Sequence, residues 1–67
     1  MPQGEMFEVT LGEQIACVER EIRMREGVYP RRISERRMTQ EFADKELRNM
    51  RAVHETLSKL VIAGQTS

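Results

Sequence analysis

Leu11-Gly-Glu-Gln-Ile15-Ala-Cys-Val18-Glu-Arg-Glu-Ile22 and, beyond an arginine-rich interval, Ala43-Asp-Lys-Glu-Leu47-Arg-Asn-Met50-Arg-Ala-Val53-His-Glu-Thr-Leu57-Ser-Lys-Leu60-Val61 are the stretches whose reading decides the fold. In the first, Leu11, Ile15, Val18 and Ile22 step by four, three and four residues, which places them on one face of a helix. Tyr29 falls seven residues beyond Ile22. In the second, Ala43, Met50 and Leu57 recur at heptad spacing, and Leu47, Val53, Leu60 and Val61 widen the stripe. Two amphipathic helices flanking the only internal proline, Pro30, are the plan of a helical hairpin. The pattern accounts for nearly every apolar residue, so no cluster looks reserved for chemistry.

Local signals set the expected boundaries. Thr10 followed three residues later by Glu13 is a capping box, which starts the first helix at Leu11. Gly27 is a stop signal, reinforced by Pro30, which disfavours helical geometry at Tyr29. The first helix is therefore expected over 11–26, about 24 Å long at 1.5 Å per residue. Pro30 can open a fresh helical turn over 30–36, since its missing amide is not needed there. Thr39 is the expected N-cap of the second helix, with Glu41 and Asp44 near the positive end of its dipole, and Ser34 is the competing cap. Gly64 should end that helix, giving 40–63 and about 36 Å. It would exceed the first by around two turns, leaving the Tyr29 to Arg37 segment to fold across Phe42 and Leu47. Residues 1–9, with Met6, Phe7 and Val9, read as an N-terminal arm docking on a helix, and 10–67 as a single helical-hairpin domain.

Composition narrows the class. A chain of 67 residues buries only about 60% of its unfolded surface, so its stability alone is marginal and a second copy would help. The 11 basic and 11 acidic side chains cancel, which gives no overall case for an anionic partner. Their distribution is uneven. From Met1 to Glu19 there are four acids and no base, whereas from Arg20 to Arg37 seven arginines face three glutamates. Cys17 is the only cysteine, so no intrachain disulfide forms and a reducing, cytoplasmic location is expected. The start of the chain lacks the basic and apolar stretches of a signal peptide, and no apolar run is long enough to span a bilayer.

Candidate chemistry is sparse. His54, the only histidine, has no second histidine or zinc-type cysteine spacing to work with and reads as a stripe-edge residue. Cys17 between Ala16 and Val18, with glutamates nearby, reads as a buried or half-buried small apolar residue rather than a nucleophile. Asp44, Glu46 and Glu55 resemble ordinary solvated helix charges, and the glycines fit no phosphate loop. No catalytic residue, metal ligand or cofactor is expected, and an enzyme is the least favoured class. The arginines carry more weight, because guanidinium groups grip phosphate well. Arg31, Arg32, Arg36 and Arg37, with Arg20, Arg23 and Arg25, gather toward one end of the expected hairpin and are the candidate nucleic-acid contacts.

The run Ile15-Ala-Cys-Val-Glu-Arg-Glu-Ile22, Met24-Arg25, Val28-Tyr29-Pro30 and Arg37-Met38-Thr39-Gln40-Glu41, leading to Ala43-Asp44 and Glu46, resembles a group of short phage and prophage proteins over about residues 13–57. The resemblance implies a mobile-element setting and carries over no catalytic or binding residue. Many relatives have an aromatic after Tyr-Pro-Arg, where this chain has Arg32-Ile33. The fold expected is all-α, an antiparallel helical hairpin with a short helical turn between its two main helices, dimerising as a four-helix bundle. Met50, Val53, Leu57, Leu60 and Val61 are the expected homodimer interface. The favoured function is an interaction module that self-associates and meets an unidentified phage or host protein. The alternative is a nucleic-acid-binding accessory protein using the arginine tip. A helix-turn-helix is weaker still, since the expected turn of about a dozen residues exceeds the usual three or four.

Overall fold

The computed structural model describes residues 9–66 and contains two helices, α1 (Leu11–Ser34) and α2 (Gln40–Thr66), with no strand among the described residues. Three pairings across the two helices fix their sense. Ile33 lines one cleft with Gln40, Glu26 meets Arg51, and Glu19 meets His54, so position rises along one helix as it falls along the other. The chain is thus an all-α antiparallel hairpin. Its smallest extent, 14 Å, is the thickness of a single helical layer. Val9, the last residue of the expected arm, is exposed; docking of Met6 and Phe7 concerns residues outside those described.

The start of α1 follows its sequence signal. The Glu13 amide donates to Thr10 Oγ1 at 3.0 Å, and the Thr10 amide donates to Glu13 Oε1 at 3.0 Å, completing the capping box. Its end does not. The helix runs through Gly27 and Pro30 to Ser34, so the expected stop at Glu26 and the separate turn over 30–36 merge into one helix of 24 residues, about 36 Å. Pro30 removes the amide that would bond the Glu26 carbonyl, a loss of about 3 kcal/mol in a typical helix interior. Both residues are exposed, where water can replace the lost partner. Continuing the helix keeps Tyr29 and Ile33 on the face set by Ile22, and Tyr29 becomes one of two buried residues among those described. Burying an aromatic side chain stabilises by roughly 1.5–3 kcal/mol, comparable with the proline cost.

Similarly, α2 passes through Gly64 to Thr66, where an end at Ala63 was expected. It has 27 residues against the 24 of α1, so the expected two-turn mismatch is absent. No separate segment folds over Phe42, which stays 51% exposed.

The connection, Glu35–Thr39, is short because α1 ends in a full Schellman turn. The Arg37 amide donates to the Arg32 carbonyl at 2.8 Å and the Arg36 amide to the Ile33 carbonyl at 3.0 Å. Such a turn needs a left-handed residue, and Arg36 takes it with φ at 61°. Glycine is the usual occupant, because a Cβ there costs roughly 1–2 kcal/mol. Thr39 then caps α2, its Oγ1 accepting from the Phe42 amide at 3.1 Å, and Ser34 is the last residue of α1 rather than a cap.

Two opposite effects on stability follow at the turn. Arg36→Gly should stabilise the hairpin, by up to about 1 kcal/mol, through relief of the left-handed strain. Thr39→Ala should destabilise it by about 1 kcal/mol through loss of the cap. Urea unfolding of both variants followed by circular dichroism checks the pair, with midpoints moving in opposite directions.

Candidate interaction surface

With a step of about 100° per residue, the contact line runs through Ile22, Tyr29 and Ile33 on α1 and through Ala43, Leu47 and His54 on α2. In an antiparallel pair the same rotational offset from this line leads to the same side of the hairpin on both helices. One flank then carries Glu19, Arg23 and Glu26 of α1 with Asp44, Arg51 and Glu55 of α2. The other carries Val18 and Val28 of α1 with Phe42, Met50, Val53, Leu57 and Leu60 of α2. The hairpin is therefore two-faced, mainly polar on one side, where Ile62 at 59% exposed is an apolar exception, and apolar along α2 on the other.

Both interhelix ionic contacts lie on the polar flank. Arg51 Nη2 pairs with Glu26 Oε2, and His54 Nε2 is 2.9 Å from Glu19 Oε2. His54 is half-buried on the line of contact itself rather than at the stripe edge expected for it, and its partner is not legible in the sequence. Glu19 turns to His54, and no ion pair joins it to Arg23, which the helical spacing also places within reach. Solvent reaches every partner, so each contact contributes at most about 1 kcal/mol.

On the apolar flank Val53 is 46% exposed, Leu60 50% and Phe42 51%, while Met50 and Leu57 are half-buried. Four of the five expected interface residues thus share this face. The fifth, Val61, sits closer to the contact line with α1 and is half-buried. Phe42 joins the patch because no described segment covers it. Its place could have been read from its offset on α2, had the turn been known to be short.

The arginines are more dispersed than the sequence suggested. Arg31 and Arg32 occupy the last turn of α1, Arg36 and Arg37 the connection, and all four are exposed. Arg20 is eleven residues before Arg31 on the same continuous helix, about 16 Å away, so the seven do not gather at the tip. Arg25 instead binds Glu21, at 2.5 Å to its carboxylate and 3.2 Å to its carbonyl oxygen. That side-chain hydrogen bond is the main cause raising the guanidinium above its ordinary pKa. The fold also returns acids to the tip. Arg37 lies 3.6 Å from Glu35, and the first turn of α2 brings Glu41 to the same end. Four arginines against these two acids leave an excess of two, and Asp44 and Lys45 of the next turn cancel. Arg31, Arg32 and Arg36 have no ion-pair partner among the described residues.

Other candidate groups are spent in local contacts or stand alone. Asp44 accepts from Gln40 Nε2 at 2.9 Å, and Glu55 pairs with Lys59 at 3.3 Å. Cys17 is exposed, contrary to the half-buried position expected, because it lies on the outer side of α1 away from α2. The described residues contain no group of three or more potential metal ligands. No protein-family model matches the chain, and no curated protein or solved structure matches it either.

The polar flank should prove weak in energetic terms. A double-mutant cycle with Glu26→Gln and Arg51→Met, read by urea unfolding, should give a coupling below about 1 kcal/mol. A larger coupling would mean that the ionic flank, not the apolar stripe, holds the hairpin closed.

Proposed function

We propose that this chain is a small phage-type helical interaction module that acts by self-association, presenting its remaining surface to a phage or host protein. One observation carries the reading: among the described residues only Tyr29 and Ala43 are buried, while Phe42, Val53 and Leu60 stand about half exposed on one flank. A chain this short gains little from its own core. Removing the exposed half of a Val, Leu or Phe side chain from water contributes about 1 kcal/mol. Three such residues on each of two copies, with Met50 and Leu57 beside them, offset much of the roughly 4–15 kcal/mol that association costs. The resemblance over residues 13–57 supports the mobile-element setting, and the lone cysteine supports a reducing, cytoplasmic one. No described helix is long and apolar enough to cross a membrane. Neither catalysis nor a cofactor enters the reading.

The second reading is a nucleic-acid accessory protein. It is favoured by Arg36, an exposed arginine held in a backbone conformation where glycine would cost less, beside Arg31 and Arg32 without acidic partners. Against it stands the small excess of two charges at the tip.

Sedimentation equilibrium separates the possibilities. The wild-type chain should show a concentration-dependent monomer–dimer equilibrium at micromolar concentration. Val53→Asp, at a position the monomer leaves half exposed, should shift it at least tenfold toward monomer while helicity persists. A wild-type monomer at 100 micromolar would overturn self-association. Titration of duplex DNA should give no binding at low salt. Binding whose logarithm falls by about 0.9 per phosphate against that of salt, and whose slope flattens on replacing Arg31, Arg32, Arg36 and Arg37 with Ser, would establish the second reading instead.

A further inference from the structure

Self-association leaves open which way two copies run, and the apolar flank carries that information. On α2 the residues Glu46, Met50, Val53, Leu57, Leu60 and Gly64 are spaced four, three, four, three and four apart, the seam of a left-handed coiled coil. All lie beyond the line of contact with α1, on the same side of the hairpin. The spacing reads the same in both directions, so a reversed copy keeps register. About a centre between Val53 and Leu57, Met50 falls opposite Leu60, Val53 opposite Leu57, and Glu46 opposite Gly64.

We propose that two copies of this chain pair antiparallel along this α2 seam, each Glu46 lying over Gly64 of the other copy. The inference rests on the self-association proposed above and adds its partner face and orientation. Two features of charge and one of shape support it. A parallel seam would set Glu46 against its own copy, and like charges in one layer repel. A parallel pair would also bring both sets of Arg31, Arg32, Arg36 and Arg37 to one end. The antiparallel pair separates them and turns each tip toward the end where Glu13 opens α1. Gly64 is the matching shape. It lies inside a helix, where glycine costs about 1 kcal/mol relative to alanine, and a Cβ there would meet nothing within 4 Å. Packing within the hairpin therefore does not ask for glycine at this position, whereas a glutamate lying across it from a second copy does.

Spin-label distances test the orientation. Nitroxides are placed singly at Lys45→Cys and Thr56→Cys in full-length protein carrying Cys17→Ser; all three positions are exposed, and the first two lie off the seam. In the antiparallel dimer Thr56 sits near the centre, with an axial offset between copies of about 3 Å, and Lys45 far from it, with about 30 Å. The Lys45 pair should be longer than the Thr56 pair by roughly 20 Å. Equal distances, or a shorter Lys45 pair, in a protein that sediments as a dimer would overturn the antiparallel seam and leave self-association standing. A protein that sediments as a monomer would overturn both.

Discussion

An aromatic ring on α1, Tyr29, and a small residue on α2, Ala43, are the two buried residues among those described, and they line one cleft near the closed end of the hairpin. Much else follows from that burial. It keeps α1 helical past Gly27 and Pro30, since uncoiling there would carry Tyr29 and Ile33 off the face that meets α2. A helix held to Ser34 leaves only five residues to reach Gln40, and the Schellman turn with left-handed Arg36 is the connection that fits. Alanine at position 43 lets the ring approach, because a larger side chain there would hold the helices apart.

Away from that end the two helices divide their work by flank. The polar side joins them with Glu26–Arg51 and Glu19–His54, contacts that set register more than they add stability. On the apolar side, Phe42, Val53 and Leu60 face solvent. A single layer of two helices cannot cover both sides of its own stripe, and α2 carries more apolar surface than α1 can reach. A second copy would supply the missing layer, as in helical bundles generally.

The arginine tip shows how tertiary structure changes an electrostatic argument. Counted along the chain, residues 20–37 carry an excess of four positive charges. Folding spreads Arg20, Arg23 and Arg25 back along α1 and returns Glu41 to the tip beside Glu35, so the excess at that end falls to two. At physiological salt, with a screening length of about 8 Å, the distant arginines add little there.

The sequence by itself determined the class and where each helix starts: the capping box at Thr10 and Glu13, the cap at Thr39, the two apolar stripes and hence an all-α hairpin. These are readable because each depends on neighbours within one turn of helix. Four of the five expected interface residues also share one face, since helical spacing alone places them there. The length of α1, the short connection, the exposure of Phe42 and Cys17, and the Glu19–His54 and Glu26–Arg51 pairs were decided by tertiary structure. Gly27 and Pro30 are local stop signals, and only the burial of Tyr29 against another helix, 14 residues further along the chain at Ala43, outweighs them. Pairs between residues 25 or 35 positions apart exist only once that packing has set the two helices in register.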